Sequence, residues 1–134
     1  MTSIYLVRHG QASFGKKDYD NLSEIGEKQS FLLGKYFKKL KLKFNKIYVG
    51  TLKRQIQTSE QILKHYENKI NIERTQLLNE YDVKSVLTGF VNGRDLSYDE
   101  LHNKKIHFSL LRNSVMAWSE NKINYSVNET WDQF

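Results

Sequence analysis

Four apolar residues, Ile4, Tyr5, Leu6 and Val7, run together near the start of the chain and stop at Arg8, His9 and Gly10. A short β-prone apolar run ended by a sharp polar break predicts a buried strand. The stretch 13–21 keeps no period, with Gly15, Lys16, Lys17, Asp18, Asp20 and Asn21 interrupting it, and reads as a polar loop. A helix should follow. Ser23 can cap it, Glu24 and Glu27 place negative charge in its first turn, and Leu32, Leu33, Tyr36, Phe37 and Leu40 recur at helical spacing. Lys46, Ile47, Tyr48 and Val49 predict a second strand, closed by Gly50 and Thr51. A second amphipathic helix starts near Leu52, with Ile56, Ser59, Leu63 and Tyr66 on one side. The alternation over 70–75 predicts a third strand.

Strands alternating with helices of this length imply right-handed crossovers and a mostly parallel sheet covered on both faces. The expected class is therefore α/β, with three α/β/α layers. From 83 to 124 the βα unit does not recur, and the pattern is mainly helical. Ser97, Tyr98, Asp99 and Glu100 make a capping box, and Phe108, Leu111, Val115 and Trp118 keep helical register. This region (83–125) reads as an insertion over the site within one domain spanning 1–134. A second capping box, Ser126, Val127, Asn128 and Glu129, announces a helix that Thr130, Trp131 and Phe134 begin to populate. An element that starts where the sequence stops makes the domain read as incomplete at its C-terminus.

Composition narrows the partners. The 134 residues suffice for one domain with a sizeable core, and 21 Lys and Arg against 15 Asp and Glu give a formal charge of +6. That balance favours acidic partners such as phosphate esters. Nucleic acid is disfavoured, because basic residues are not interleaved with aromatics in any one stretch. Lys35, Lys38, Lys39, Lys41 and Lys43 read as a solvated helix face and end. The chain has no cysteine, which removes disulfides and thiolate metal sites. No apolar run is long enough to span a membrane, so a cytoplasmic protein is the expectation.

The candidate chemistry sits at the strand ends. In open α/β sheets the ligand crevice lies beyond the carboxyl ends of the strands, which is where Arg8 and His9 fall. A guanidinium supplies a permanent charge and a planar fork of donors, and a neutral imidazole nitrogen can attack phosphorus. Arg54 falls in the first turn of the second helix, where the helix terminus adds to an anion site. Glu80 follows the third strand and suits a general acid for a leaving oxygen, with Asp82 as its competitor. His65, His102 and His107 are spaced without an acidic pattern typical of metal ligands and read as structural or solvated, so no metal is expected.

Three motifs in order carry a resemblance: Leu6-Val7-Arg8-His9-Gly10, Leu22-Ser23-Glu24-Ile25-Gly26, and Gly50-Thr51-Leu52-Lys53-Arg54-Gln55 leading to Thr58. With the run Asn79-Glu80-Tyr81-Asp82, the first 85 or so residues resemble the histidine phosphatase superfamily, the phosphoglycerate mutase-like fold. The resemblance implies a phosphohistidine mechanism with His9 as nucleophile, Arg8 and Arg54 clamping the phosphoryl oxygens, and Glu80 as proton donor. Gln11 and Ser23 would help bind the substrate, a small phosphorylated compound or phosphate. No cofactor is implied. The short stretch after the histidine, and Gln11 where mutases usually carry Glu, favour a phosphatase over a mutase. One element of the pattern is missing: the family places a second histidine in a later His-Gly-Gly setting, and no His-Gly pair follows Gly10. The resemblance then implies weak or no turnover for the chain as given. It leaves a non-catalytic phosphate- or phosphoprotein-binding fold as the rival, and an open sheet edge suited to self-association.

Overall fold

The computed structural model describes residues 2–13, 18–91, 97, 103–123, 127 and 129–134. They fall into two compact units, Met1–Asn79 and Glu80–Phe134, so the division comes just before the region expected as an insertion.

The first unit holds α1 (Glu24–Lys39), β1 (Lys46–Val49), α2 (Lys53–Leu63), β2 (Asn71–Arg74) and a 3-10 turn, Gln76–Leu78. β1 and β2 pair in parallel, with Lys46 opposite Asn71 and Val49 opposite Arg74, and α2 forms the crossover between them. The α/β alternation with parallel pairing is thus the one read from the sequence.

α1 begins where expected. The Ser23 hydroxyl accepts the Gly26 N–H at 3.1 Å, Glu24 and Glu27 occupy the first turn, and Lys38 and Lys39 the last. The helix closes with the Lys41 N–H on the Lys38 carbonyl and the Leu42 N–H on the Phe37 carbonyl, a Schellman motif that holds Lys41 at φ 57°. α1 meets α2 at Gly34, where a Cβ would lie 2.4 Å from the Ile62 carbonyl oxygen. Among the described residues of this unit, Ala12, Leu22, Phe37, Val49 and Ile62 are the buried apolar ones.

The strand expected at residues 4–7 is not formed. No backbone hydrogen bond involves these residues among the described ones, and the sheet has two strands rather than the fuller layer the pattern predicts. A strand is a property of a pair, and an apolar run without a neighbour to pair with remains merely extended. The two-residue period nevertheless survives. Tyr5 and Val7 are about half exposed, Tyr5 with its ring against Phe37 and Phe44, while Ile4 and Leu6 stay 83% and 94% exposed. β2 likewise keeps its pairing but is exposed along its whole length, so the alternation at 70–75 marks a strand without a buried face.

The second unit is mainly helical, as expected, with α3 (Val83–Val91) and α4 (Lys104–Ser119) packed together. Its core contains Val86, Leu110, Ser114 and Trp118. The Asn103 side chain caps α4, and Asn121, at φ 53°, closes it by a second Schellman motif. Tyr98, Asp99 and Glu100 of the first expected capping box lie outside the described residues, as do Ser126 and Asn128 of the second. In place of the helix expected after 129 there is a 3-10 turn, Trp131–Gln133, in which Gln133 Oε1 accepts the Thr130 N–H at 2.9 Å. Rings fix this turn. Trp118 packs on Tyr81, Trp131 and Phe134 and donates its indole N–H to the Glu129 carbonyl at 2.8 Å. Among the described residues no helix is long and apolar enough to cross a membrane.

Candidate active site

The polar residues after the apolar run are held in the first unit by hydrogen bonds rather than by a strand. His9 Nδ1 lies 2.7 Å from the Gly10 carbonyl oxygen, and the Arg54 Nε–H points at His9 Nε2 across 3.3 Å. A carbonyl only accepts and a guanidinium only donates, so the imidazole carries its proton on Nδ1 and presents a lone pair on Nε2. Two residues forty-five positions apart therefore meet, as the sequence suggested.

Gly10 lets α1 come this close: a Cβ there would lie 2.4 Å from the Gly26 carbonyl oxygen, and one on Gly26 would lie 2.1 Å from the Gln11 carbonyl oxygen. The Gly10 N–H donates to the Thr58 hydroxyl at 3.0 Å, and the Gln11 N–H to Gln29 Oε1 at 3.0 Å. Ser23, expected to bind substrate, is occupied with the scaffold: its hydroxyl contacts the Gln11 backbone carbonyl and side-chain Oε1 while capping α1. Gln11 itself faces a shallow hollow that Arg8, His9, Gly10, Ala12, Tyr19 and Gln29 also line. Arg8 is exposed at its mouth, and Tyr19 lies with its ring 5.5 Å from the Arg54 guanidinium carbon.

Arg54 is buried, in the first turn of α2, and Asp20 Oδ1 accepts from its Nη1 at 2.7 Å. The other oxygen of Asp20 accepts the Lys53 N–H at 2.9 Å. Next to this pair the Lys53 ammonium lies 2.8 Å from Asp18 and holds that carboxyl below the usual aspartate range. The helix terminus expected to receive an anion thus receives a carboxylate from the loop.

Glu80 opens the second unit and is exposed; its charge, after burial, helps push the Tyr81 phenol upward. Its predecessor Asn79 belongs to the first unit, where it accepts the Thr51 N–H at 2.7 Å and donates to the Thr51 hydroxyl at 2.8 Å, tying the loop after β1 to the turn after β2. His65 is structural, with its ring against Phe31 and Nε2 3.0 Å from the Phe31 carbonyl oxygen. His107 lies in α4, and His102 is outside the described residues. Among the described residues no group of three His, Asp or Glu side chains converges as a metal site would require.

Residues 4–90, more than half of the chain, match the model of the histidine phosphatase superfamily (branch 1). The chain belongs to that superfamily. The parallel α/β arrangement is consistent with its phosphoglycerate mutase-like fold. A serine/threonine-protein phosphatase, mitochondrial Pgam5 of Caenorhabditis briggsae, is 32% identical over 78 residues, which are 58% of this chain and 27% of the relative. The chain therefore spans about a quarter of the length of that curated relative. A solved structure of the protein histidine phosphatase SixA complexed with tungstate aligns over 82% of this chain and 72% of its own, at 20% identity and a TM-score of 0.46.

In this superfamily member the sequence reading gave no role to three residues of the site: Thr58, named only as the end of the third motif, and Gln29 hold the histidine loop, and Asp20 pairs with Arg54. Thr58 carried a visible signal, since it lies four residues after Arg54 on the same helical face. Asp20 and Gln29 carried none, because their partners are distant in the chain.

Proposed function

We propose that this histidine phosphatase superfamily member acts on phosphomonoesters through a phosphohistidine at His9. The observation that carries the reading is the pair of contacts at His9: Nδ1 faces the Gly10 carbonyl, which assigns the proton to Nδ1, and Nε2 faces the buried Arg54 guanidinium. In the first step the Arg54 N–H turns from Nε2 to a phosphoryl oxygen, the freed lone pair attacks phosphorus and the P–O ester bond breaks, with Glu80 giving its proton to the leaving oxygen. Water then attacks phosphorus, the P–N bond breaks, and Glu80 recovers a proton from the water as inorganic phosphate leaves. Arg54 and Arg8 supply the positive charge for the phosphoryl oxygens, the dominant requirement in phosphoryl transfer.

The test is incubation with a labelled phosphoryl donor and a search for acid-labile label. Label present in the wild type and lost in His9→Ala supports the enzyme. No label in a protein that still binds phosphate makes it a non-catalytic phosphate-binding fold instead. Glu80→Gln should slow release of a poor leaving group more than of a good one; equal losses remove Glu80 as the proton donor.

A further inference from the structure

The segment between the histidine loop and α1 brings an acid to Arg54. Asp20 bridges Arg54 Nη1, at 2.7 Å, and the Lys53 backbone N–H at the start of α2, at 2.9 Å. A guanidinium N–H and a first-turn amide are the donors that an oxyanion bound at this helix end would use. Asp18 pairs with Lys53 Nζ at 2.8 Å, and the Ser13 hydroxyl donates to the Asp18 carbonyl at 2.7 Å.

Burial is unequal across the pair, and that inequality bears on what Asp20 does. The Arg54 side chain is 8% exposed and the Asp20 side chain 31%. A buried cation must be matched by an anion, but here the matching anion sits on a loop at the rim, from which it can swing into water without leaving its own charge desolvated. That is the arrangement of an exchangeable counter-ion rather than a permanent core pair.

We infer that Asp20 sets how tightly the site holds its anion, occupying Arg54 in the empty protein and giving way to a phosphoryl oxygen on binding. The inference rests on the reading of His9 and Arg54 as a phosphoryl site. Its consequence is kinetic as well as thermodynamic. Inorganic phosphate formed at His9 is met by a carboxylate competing for the same donors, which favours its departure. Asp20 acts through Arg54 and is a positioning residue, not a catalytic one.

The experiment is calorimetric titration of the whole chain with orthovanadate and with inorganic phosphate, comparing wild type, Asp20→Asn and Glu73→Gln. Removing a charge-assisted competitor should tighten binding in Asp20→Asn by about tenfold or more. Glu73→Gln, which removes the same charge from β2 where it pairs with Lys46, should stay close to wild type. A merely structural Asp20 predicts the opposite sign, because a loosened guanidinium binds more weakly. Unchanged or weaker binding in Asp20→Asn, with wild type still binding, overturns the inference and leaves the phosphatase reading standing. No binding to either protein overturns both.

A measurement on the wild type alone guards against a variant that misfolds. The Lys53 amide resonance should move as phosphate is added and its carboxylate partner withdraws. A Lys53 amide unchanged at phosphate saturation overturns the exchange.

Discussion

The Thr58 hydroxyl accepts the Gly10 N–H at 3.0 Å and donates its own proton to the Arg54 carbonyl at 2.7 Å. One buried side chain thereby joins the loop that holds His9 to the turn of α2 that holds Arg54. Thr58→Val keeps the shape and removes the acceptor, leaving the Gly10 N–H unpaired at a cost of about 1–3 kcal/mol. The expected outcome is a lower denaturation midpoint together with reduced phosphoryl labelling of His9. Thr58→Ser should restore both, and a valine variant with normal labelling would separate Thr58 from the site.

The sequence made the helices and β1 legible because each carries its own signal: Ser23 with Glu24 and Glu27 at the start of α1, the apolar run closed by Gly50 and Thr51 for β1. Residues 4–7 carry an equally good local signal and form no ladder, since pairing depends on a neighbour that local pattern does not describe. The meeting of His9 and Arg54 was legible from their places at neighbouring strand ends and again from the order of three motifs. What periodicity could not give is how Arg54 is matched: Asp20 lies in a stretch with no period, and its contact with Arg54 spans thirty-four positions.

Lys41 closes α1 in the left-handed region, at φ 57°, a conformation that costs a residue with a Cβ about 1–2 kcal/mol. Glycine has no such penalty, although it gives back part of the gain through the greater freedom of the unfolded chain. Lys41→Gly should therefore stabilise the first unit by about 0.5–1 kcal/mol. The check is the denaturant midpoint, with Lys35→Gly as the contrasting variant: placed inside the helix, it should lower stability.

The Tyr81 phenol lies among Trp118 and Phe134 at the start of the second unit. Burial first, and the Glu80 charge second, raise its ionisation above the ordinary 10.0. A folded-state value raised above the unfolded one gives stability that is fully present below about pH 10 and is lost as pH climbs through the folded value. Ultraviolet titration of the tyrosinate band, with Tyr81→Phe identifying the residue, should find it ionising late. Glu80→Gln should bring it down while leaving it above the ordinary value, because burial remains. An unmoved titration in Glu80→Gln would mean that the carboxylate points away from the phenol.

Ile4 and Leu6 stand 83% and 94% exposed on a segment with no backbone ladder, and β2 is exposed along its outer length. An apolar, unpaired extended segment offers both unsatisfied backbone groups and side chains to another chain, which proteins normally suppress with charge or cover. The chain carries no such charge at Ile4, Leu6 or Val7, so concentration-dependent association of copies through this edge is the expected behaviour. Burying one leucine in such a contact contributes about 1.5–3 kcal/mol, enough for Leu6→Lys to shift the association constant by tenfold or more. Sedimentation velocity over a range of concentrations distinguishes the cases. A wild-type chain that remains monomeric throughout would show that the exposed run is tolerated alone. Association that persists unchanged in Leu6→Lys would place the contact elsewhere on the surface.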